Sequence, residues 1–116
     1  MELNHRDVQG VIVMDLAGRL TSSDGGILAE RVARLLTEGH TRFVLNLGHM
    51  NYMDSSGLGD VVSCYSKVRK AGGTVKLAQT TDRIKDLLAI TRLVTVFENF
   101  DTEAEAVASF GPPPQK

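Results

Sequence analysis

The chain has 116 residues, 42% hydrophobic and 23% charged, which fits one folded domain with a single modest core. The formal net charge of -1 supplies no field to draw it to nucleic acid or to an anionic membrane surface. Met1-Glu2-Leu3-Asn4-His5-Arg6-Asp7 has no apolar signal region, no apolar run approaches the ~20 residues of a membrane span, and the lone cysteine, Cys64, cannot form an intrachain disulfide, so a reducing cytoplasm is the expected compartment.

In chain order, residues 8–16 read as a weakly alternating strand, preceded by a short strand over 2–5, with the hairpin turning across Arg6-Asp7. Gly18-Arg19-Leu20 reads as a turn, and Thr21-Ser22-Ser23-Asp24 offers N-caps for a first helix. That helix carries Ile27, Leu28, Val32, Leu35 and Leu36 on one face and stops at Gly39. Residues 42–47 form the next strand, with Phe43, Leu45 and Leu47 on one side. The second helix starts near Ser56 and runs to about Lys70, with Leu58, Val61, Val62, Tyr65 and Val68 inward and Asp60, Ser63, Lys67 and Lys70 opposite. Gly72-Gly73 ends it and residues 74–78 are a strand. Thr80-Thr81-Asp82 caps a third helix with Ile84, Leu87 and Leu88 inward, and residues 94–97 form a short last strand. Thr102 and Glu105 have capping-box spacing at the start of a fourth helix. The prolines of Gly111-Pro112-Pro113-Pro114-Gln115-Lys116 cannot continue that helix, so residues 1–110 read as the domain and 111–116 as a flexible tail. Strand and helix alternate in the pattern of an α/β domain with a mostly parallel sheet.

The segment Met53-Asp54-Ser55-Ser56-Gly57-Leu58-Gly59 puts two hydroxyls and a carboxylate where a helix begins. Free backbone N–H groups and the positive end of the helix dipole favour a phosphate there. The segment therefore reads as a reversible charge switch on a binding domain rather than a catalytic site. The plainer reading is that both serines only cap the helix. The neighbouring Asp and Gly-Leu-Gly favour the switch, with Ser56 assigned the cap. Gly57 and Gly59 either pack closely on the sheet or let a partner's backbone approach, at about 1 kcal/mol each inside a helix. Asp54 fixes the loop or contacts the partner in preference to acting as a base. Asp60 and Lys67 read as a solvated face and Cys64 as packing. His5, His40 and His49 lack metal-ligand spacing, and neither a metal nor a cofactor is expected. A hydrolase elbow, a dinucleotide fingerprint and a Gly-Lys-Ser/Thr loop are all absent from the sequence, which leaves little room for a small hydrolase or nucleotide-binding enzyme.

Asn51-Tyr52-Met53-Asp54-Ser55-Ser56-Gly57-Leu58-Gly59 resembles the signature of the STAS domain, the fold of bacterial anti-sigma factor antagonists. Gly18-Arg19-Leu20, Phe43-Val44-Leu45-Asn46-Leu47, Ala71-Gly72-Gly73 and Thr91-Arg92-Leu93-Val94-Thr95-Val96-Phe97 are similar to more generic stretches of the same family. The resemblance implies a five-stranded, mostly parallel sheet with an N-terminal hairpin and four helices mainly on one face. It implies that Ser55 is phosphorylated by a partner that is both a serine kinase and an anti-sigma factor. The unphosphorylated form would bind that partner and release the sigma factor, and a phosphoserine phosphatase would restore it. The expected partner surface is Asp54, Ser56, Gly57, Leu58 and Gly59 around Ser55, with Thr21 beside them. The other reading within the family is an accessory subunit of a transport complex or stress-sensing assembly without phospho-switching. A one-sided helix layer leaves a sheet face open to weak pairing with another copy.

Overall fold

The turn at Gln9-Gly10 sets the start of the fold. Both residues have positive φ, 54° and 82°, the left-handed pair that a two-residue hairpin loop needs. Asp7 Oδ1 accepts the Gly10 N–H at 3.0 Å. In the computed structural model, which describes residues 1–21 and 26–111, β1 (Glu2–Val8) and β2 (Val11–Leu20) pair antiparallel around this turn. The expected hairpin forms, but its turn lies beyond Arg6-Asp7. Those two residues are strand instead, because Arg6 sits opposite Val13 and reaches Asp15 on the neighbouring strand at 2.8 Å. Gly18-Arg19-Leu20 is also strand and not a turn; Gly18 takes φ 93° opposite a bulge of the neighbouring strand.

Helix α1 (Ile27–Thr37) buries Leu28, Val32 and Leu35 and leaves Ile27 exposed. Its N-cap is Gly26, with no side-chain bond, so Thr21 is not the cap; Ser22, Ser23 and Asp24 lie outside the described residues. The chain then enters β3 (Arg42–Met53), twice the length expected. The core-facing positions explain the shortfall. They run Phe43, Leu45, Leu47 and then Met50, Met53. The interval changes from two to three because β3 carries extra residues at two bulges against β2. Alternation, the sequence mark of a strand, stops at Leu47 while the ladder continues to Leu20–Met53.

Helix α2 (Ser55–Lys70), strand β4 (Thr74–Ala78) and helix α3 (Asp82–Ile90) follow as the periodicity predicts. The expected strand at 94–97 is a turn instead, and β5 is Asn99–Phe100. Phe97 is drawn into the core, edge-on to Tyr65 with ring centroids 5.1 Å apart. Only after it does the chain reach the free edge of β4, where Leu77 N–H donates to Glu98 O and Gln79 N–H to Phe100 O. Helix α4 (Glu103–Ala108) closes the described chain, and the expected tail at 112–116 lies outside the described residues.

The strand order is β1-β2-β3-β4-β5, parallel from β2 onward. Successive right-handed crossovers between neighbouring strands place α1, α2 and α3 on one face. There Leu28, Val32, Leu58, Val61, Cys64, Val68, Ile84 and Leu88 cover Ile12, Met14, Leu16, Phe43, Leu45, Leu47 and Leu77. Helix α4 crosses to the other face and covers Val11, Val13, Val44 and Ala78 with Ala106 and Val107. The face expected to lie open for another copy is thus partly covered. Its rim is polar: Arg6 binds both Asp15 and Glu103, and Asn46 Nδ2 donates to Glu103 Oε1 at 3.1 Å.

Candidate functional site

Strand β3 delivers its last residue, Met53, into the core, and the chain breaks into α2 one residue later. Asp54 makes that break. It is extended, with φ -98° and ψ -176°, and its Oδ1 accepts the Gly57 N–H at 2.8 Å. Its own N–H donates to Leu20 O at 3.3 Å, which ties the end of β3 to the end of β2. Asp54 is therefore the N-cap of α2, and Ser56 is not. Aspartate and serine cap about equally well; the tie to Leu20 puts the carboxylate, and not a hydroxyl, in register with the Gly57 N–H.

Ser55 and Ser56 become the first two helical residues, and both are exposed. Their backbone N–H groups belong to the set that a helix start leaves without intrahelical partners. No acidic residue lies in the first turn of α2, so Asp54 is the local carboxylate at the positive end of the dipole.

The two glycines play different parts. A Cβ on Gly57 would lie 2.1 Å from Leu20 O, so only glycine lets the helix start rest on the end of β2. A Cβ on Gly59 would meet nothing within 4 Å. Gly57 and Leu58 are buried, so the motif surface that a second molecule can touch comes down to Ser55, Ser56 and Gly59, with half-buried Asp54 behind them. Thr21 follows Leu20 and is half-buried, which brings it to the same end of the sheet.

Other candidate groups lie apart from this surface. Cys64 is fully buried, and burial pushes its thiol up to about 12, so the thiolate is not accessible for chemistry at neutral pH. His5 Nδ1 lies 3.0 Å from Arg31 Nη1 on the flank of α1, and His49 is an exposed β3 residue paired with Ala17. Among the described residues no cluster of three or more His, Cys, Asp or Glu side chains could hold a metal ion. No helix of the described chain is long and apolar enough to cross a membrane.

Sequence reading missed two features beside the motif. Arg19 stacks its guanidinium 4.6 Å from the centre of the Tyr52 ring, across a strand pair that the bulges conceal. Helix α3 also carries a second stripe at Arg83, Leu87 and Ile90, next to Tyr52 and Met53; the i, i+4, i+7 spacing was the available signal.

The STAS domain model matches residues 2–106. The anti-sigma-B factor antagonist of Bacillus subtilis is 30% identical over 95 residues, covering 82% of this chain and 83% of that protein. The anti-sigma F factor antagonist of Paenibacillus polymyxa is 24% identical over 108 residues, covering 92% and 91%. Among solved structures, the Bacillus cell fate determinant SpoIIAA in its phosphorylated form superposes with a TM-score of 0.75 at 19% identity, covering 94% of this chain and 99% of that one. At that identity the likeness is one of fold. With a family match over nearly its whole length and the strand order to go with it, this chain belongs to the STAS domain family.

Proposed function

We propose that this protein is an anti-sigma factor antagonist working in the cytoplasm, a binding module without catalytic activity of its own, switched at Ser55. In its unmodified form it binds an anti-sigma factor that is also a serine kinase, and the sigma factor is released. Phosphorylation of Ser55 ends that binding, and a phosphoserine phosphatase restores it. The observation that carries this reading is the division of labour at the start of α2. Asp54 holds the cap, so the exposed Ser55 hydroxyl is available to another protein's ATP.

Phosphorylation adds roughly -1.5 to -2 charges. The helix end accepts part of that charge through the dipole, while Asp54 opposes it. A partner that covers Ser55 must strip water from the dianion, which is expensive. A loss of ~3 kcal/mol in binding is a factor of more than 100. The names of the curated relatives support the antagonist role, and a relative of the same fold exists in phosphorylated and unphosphorylated forms.

The test is to incubate the wild type and Ser55→Ala with ATP and each serine kinase of the anti-sigma class encoded in the same genome. Labelling of the wild type at Ser55, absent in Ser55→Ala, supports the reading. A wild type left unlabelled by all of them contradicts it and leaves the constitutive accessory subunit as the better description.

A further inference from the structure

We propose that the groove between α3 and the end of β3 is the second half of the kinase-binding surface, and that it seats an apolar side chain the kinase presents beside its active site. This rests on the switch reading of Ser55. The groove encloses about 500 Å3 and is lined by Tyr52, Met53, Arg83, Asp86, Leu87 and Ile90.

Three observations select this surface and its occupant. First, α3 is apolar on two sides. Ile84 and Leu88 are buried in the core, yet Ile90 is 79% exposed, the largest value among the exposed large hydrophobics described. Leaving such a side chain in water forgoes the favourable burial of a large apolar group. Second, the groove is continuous with the phosphorylatable serine. Tyr52 and Met53 form its wall and are followed directly by Asp54 and Ser55. From Tyr52 to Ser55 the chain spans at most about 11 Å.

Third, area demands a second patch. A specific interface covers about 800 Å2 on each partner. Two serines and a glycine at the tip of a helix supply a small part of that. A protein that brings its ATP to Ser55 must also cover neighbouring ground, and this groove adjoins the motif directly. The rim carries Arg83 and Asp86, one charge of each sign, around an apolar floor, the usual anatomy of an interface core and its edge. The two patches divide the work. The groove supplies affinity that does not depend on modification, and Ser55 decides whether the surfaces can close.

The test uses the full chain and the kinase that labels Ser55. Steady-state phosphorylation of Ser55 is measured for the wild type, Ile90→Lys, Ile90→Ser and Ala108→Lys, the last at an exposed site on α4 across the sheet. Melting curves by circular dichroism check each fold. Both Ile90 variants are expected to raise KM at least tenfold, with kcat within twofold and the melting temperature unchanged, while Ala108→Lys behaves as wild type. Wild-type KM in both Ile90 variants overturns the groove and leaves the Ser55 switch standing. Sedimentation showing that Ile90→Lys dissociates a dimer, with KM unchanged, makes a second copy the occupant and also overturns the proposal. A wild type that no kinase labels removes the switch and the groove together.

Discussion

The starts of α2 and α4 solve one problem in opposite ways. At α4 a hydroxyl is the cap: Thr102 Oγ1 accepts the Glu105 N–H at 3.1 Å and donates to Glu105 Oε1 at 3.0 Å. Thr81 caps α3 in the same manner, accepting from Ile84 N–H. At α2 a carboxylate is the cap, and the two hydroxyls behind it are left to solvent. Modifying a capping hydroxyl disturbs the Oγ bond that starts its helix. A hydroxyl at the first helical position can be modified with the capping bond left in place. The contrast separates a serine or threonine that belongs to the fold from one that is available to a second protein.

The glycines carry the contrast into packing and give the strongest mutational prediction. Gly57→Ala drives a methyl into the Leu20 carbonyl and should destabilise the protein by about 3 kcal/mol, read as a lower urea midpoint at unchanged slope. Gly59→Ala meets nothing and should stabilise it by about 1 kcal/mol on helix propensity. Equal effects at the two sites would mean that the start of α2 does not rest on the end of β2.

The caps themselves come next. Thr102→Ala and Asp54→Ala should each cost about 1 kcal/mol, whereas Ser55→Ala and Ser56→Ala should stay within about 0.5 kcal/mol. A Ser56→Ala loss as large as that of Asp54→Ala, measured by denaturant unfolding, would return the capping role to the serine.

A smaller effect separates the two helix starts by pH. The Arg6 guanidinium, and then Asn46, hold the Glu103 carboxyl below its ordinary value of 4.5, against a burial effect in the other direction. Because the folded value is the lower one, the contribution is complete above the ordinary value and disappears as pH falls through the folded value. Stability should therefore fall as pH drops below about 4.5, and less steeply in Glu103→Gln. Parallel pH profiles for the two proteins would show that this ion pair does not anchor α4.

Much of the fold was legible because helix periodicity and stop signals are local. Gly39 and Gly72 end their helices with φ 97° and 84°, as their positions after an apolar stripe imply. Cys64 was legible as packing from its place beside the α2 stripe. The second half of β3 was hidden because two bulges turn its inward spacing from two to three, and only the neighbouring strand reveals the ladder. The early turn was misplaced because Gln9-Gly10 is a weaker turn signal than Asn-Gly, and the ion pair that holds Arg6 in the strand is a tertiary fact. At the site, the motif was readable as a helix start. The choice between Asp54 and Ser56 was not, since both residue types cap well and a backbone bond to Leu20 decides between them.

The most direct measurement prepares the protein phosphorylated at Ser55 and compares it with the unmodified form in two assays, thermal melting and affinity for the kinase. The two forms should melt within about 3 °C of each other, and the phosphorylated one should bind at least 100-fold more weakly. A phosphorylated form that melts far lower, or that binds as well as the unmodified one, would contradict a charge carried easily by the free protein and excluded from the complex.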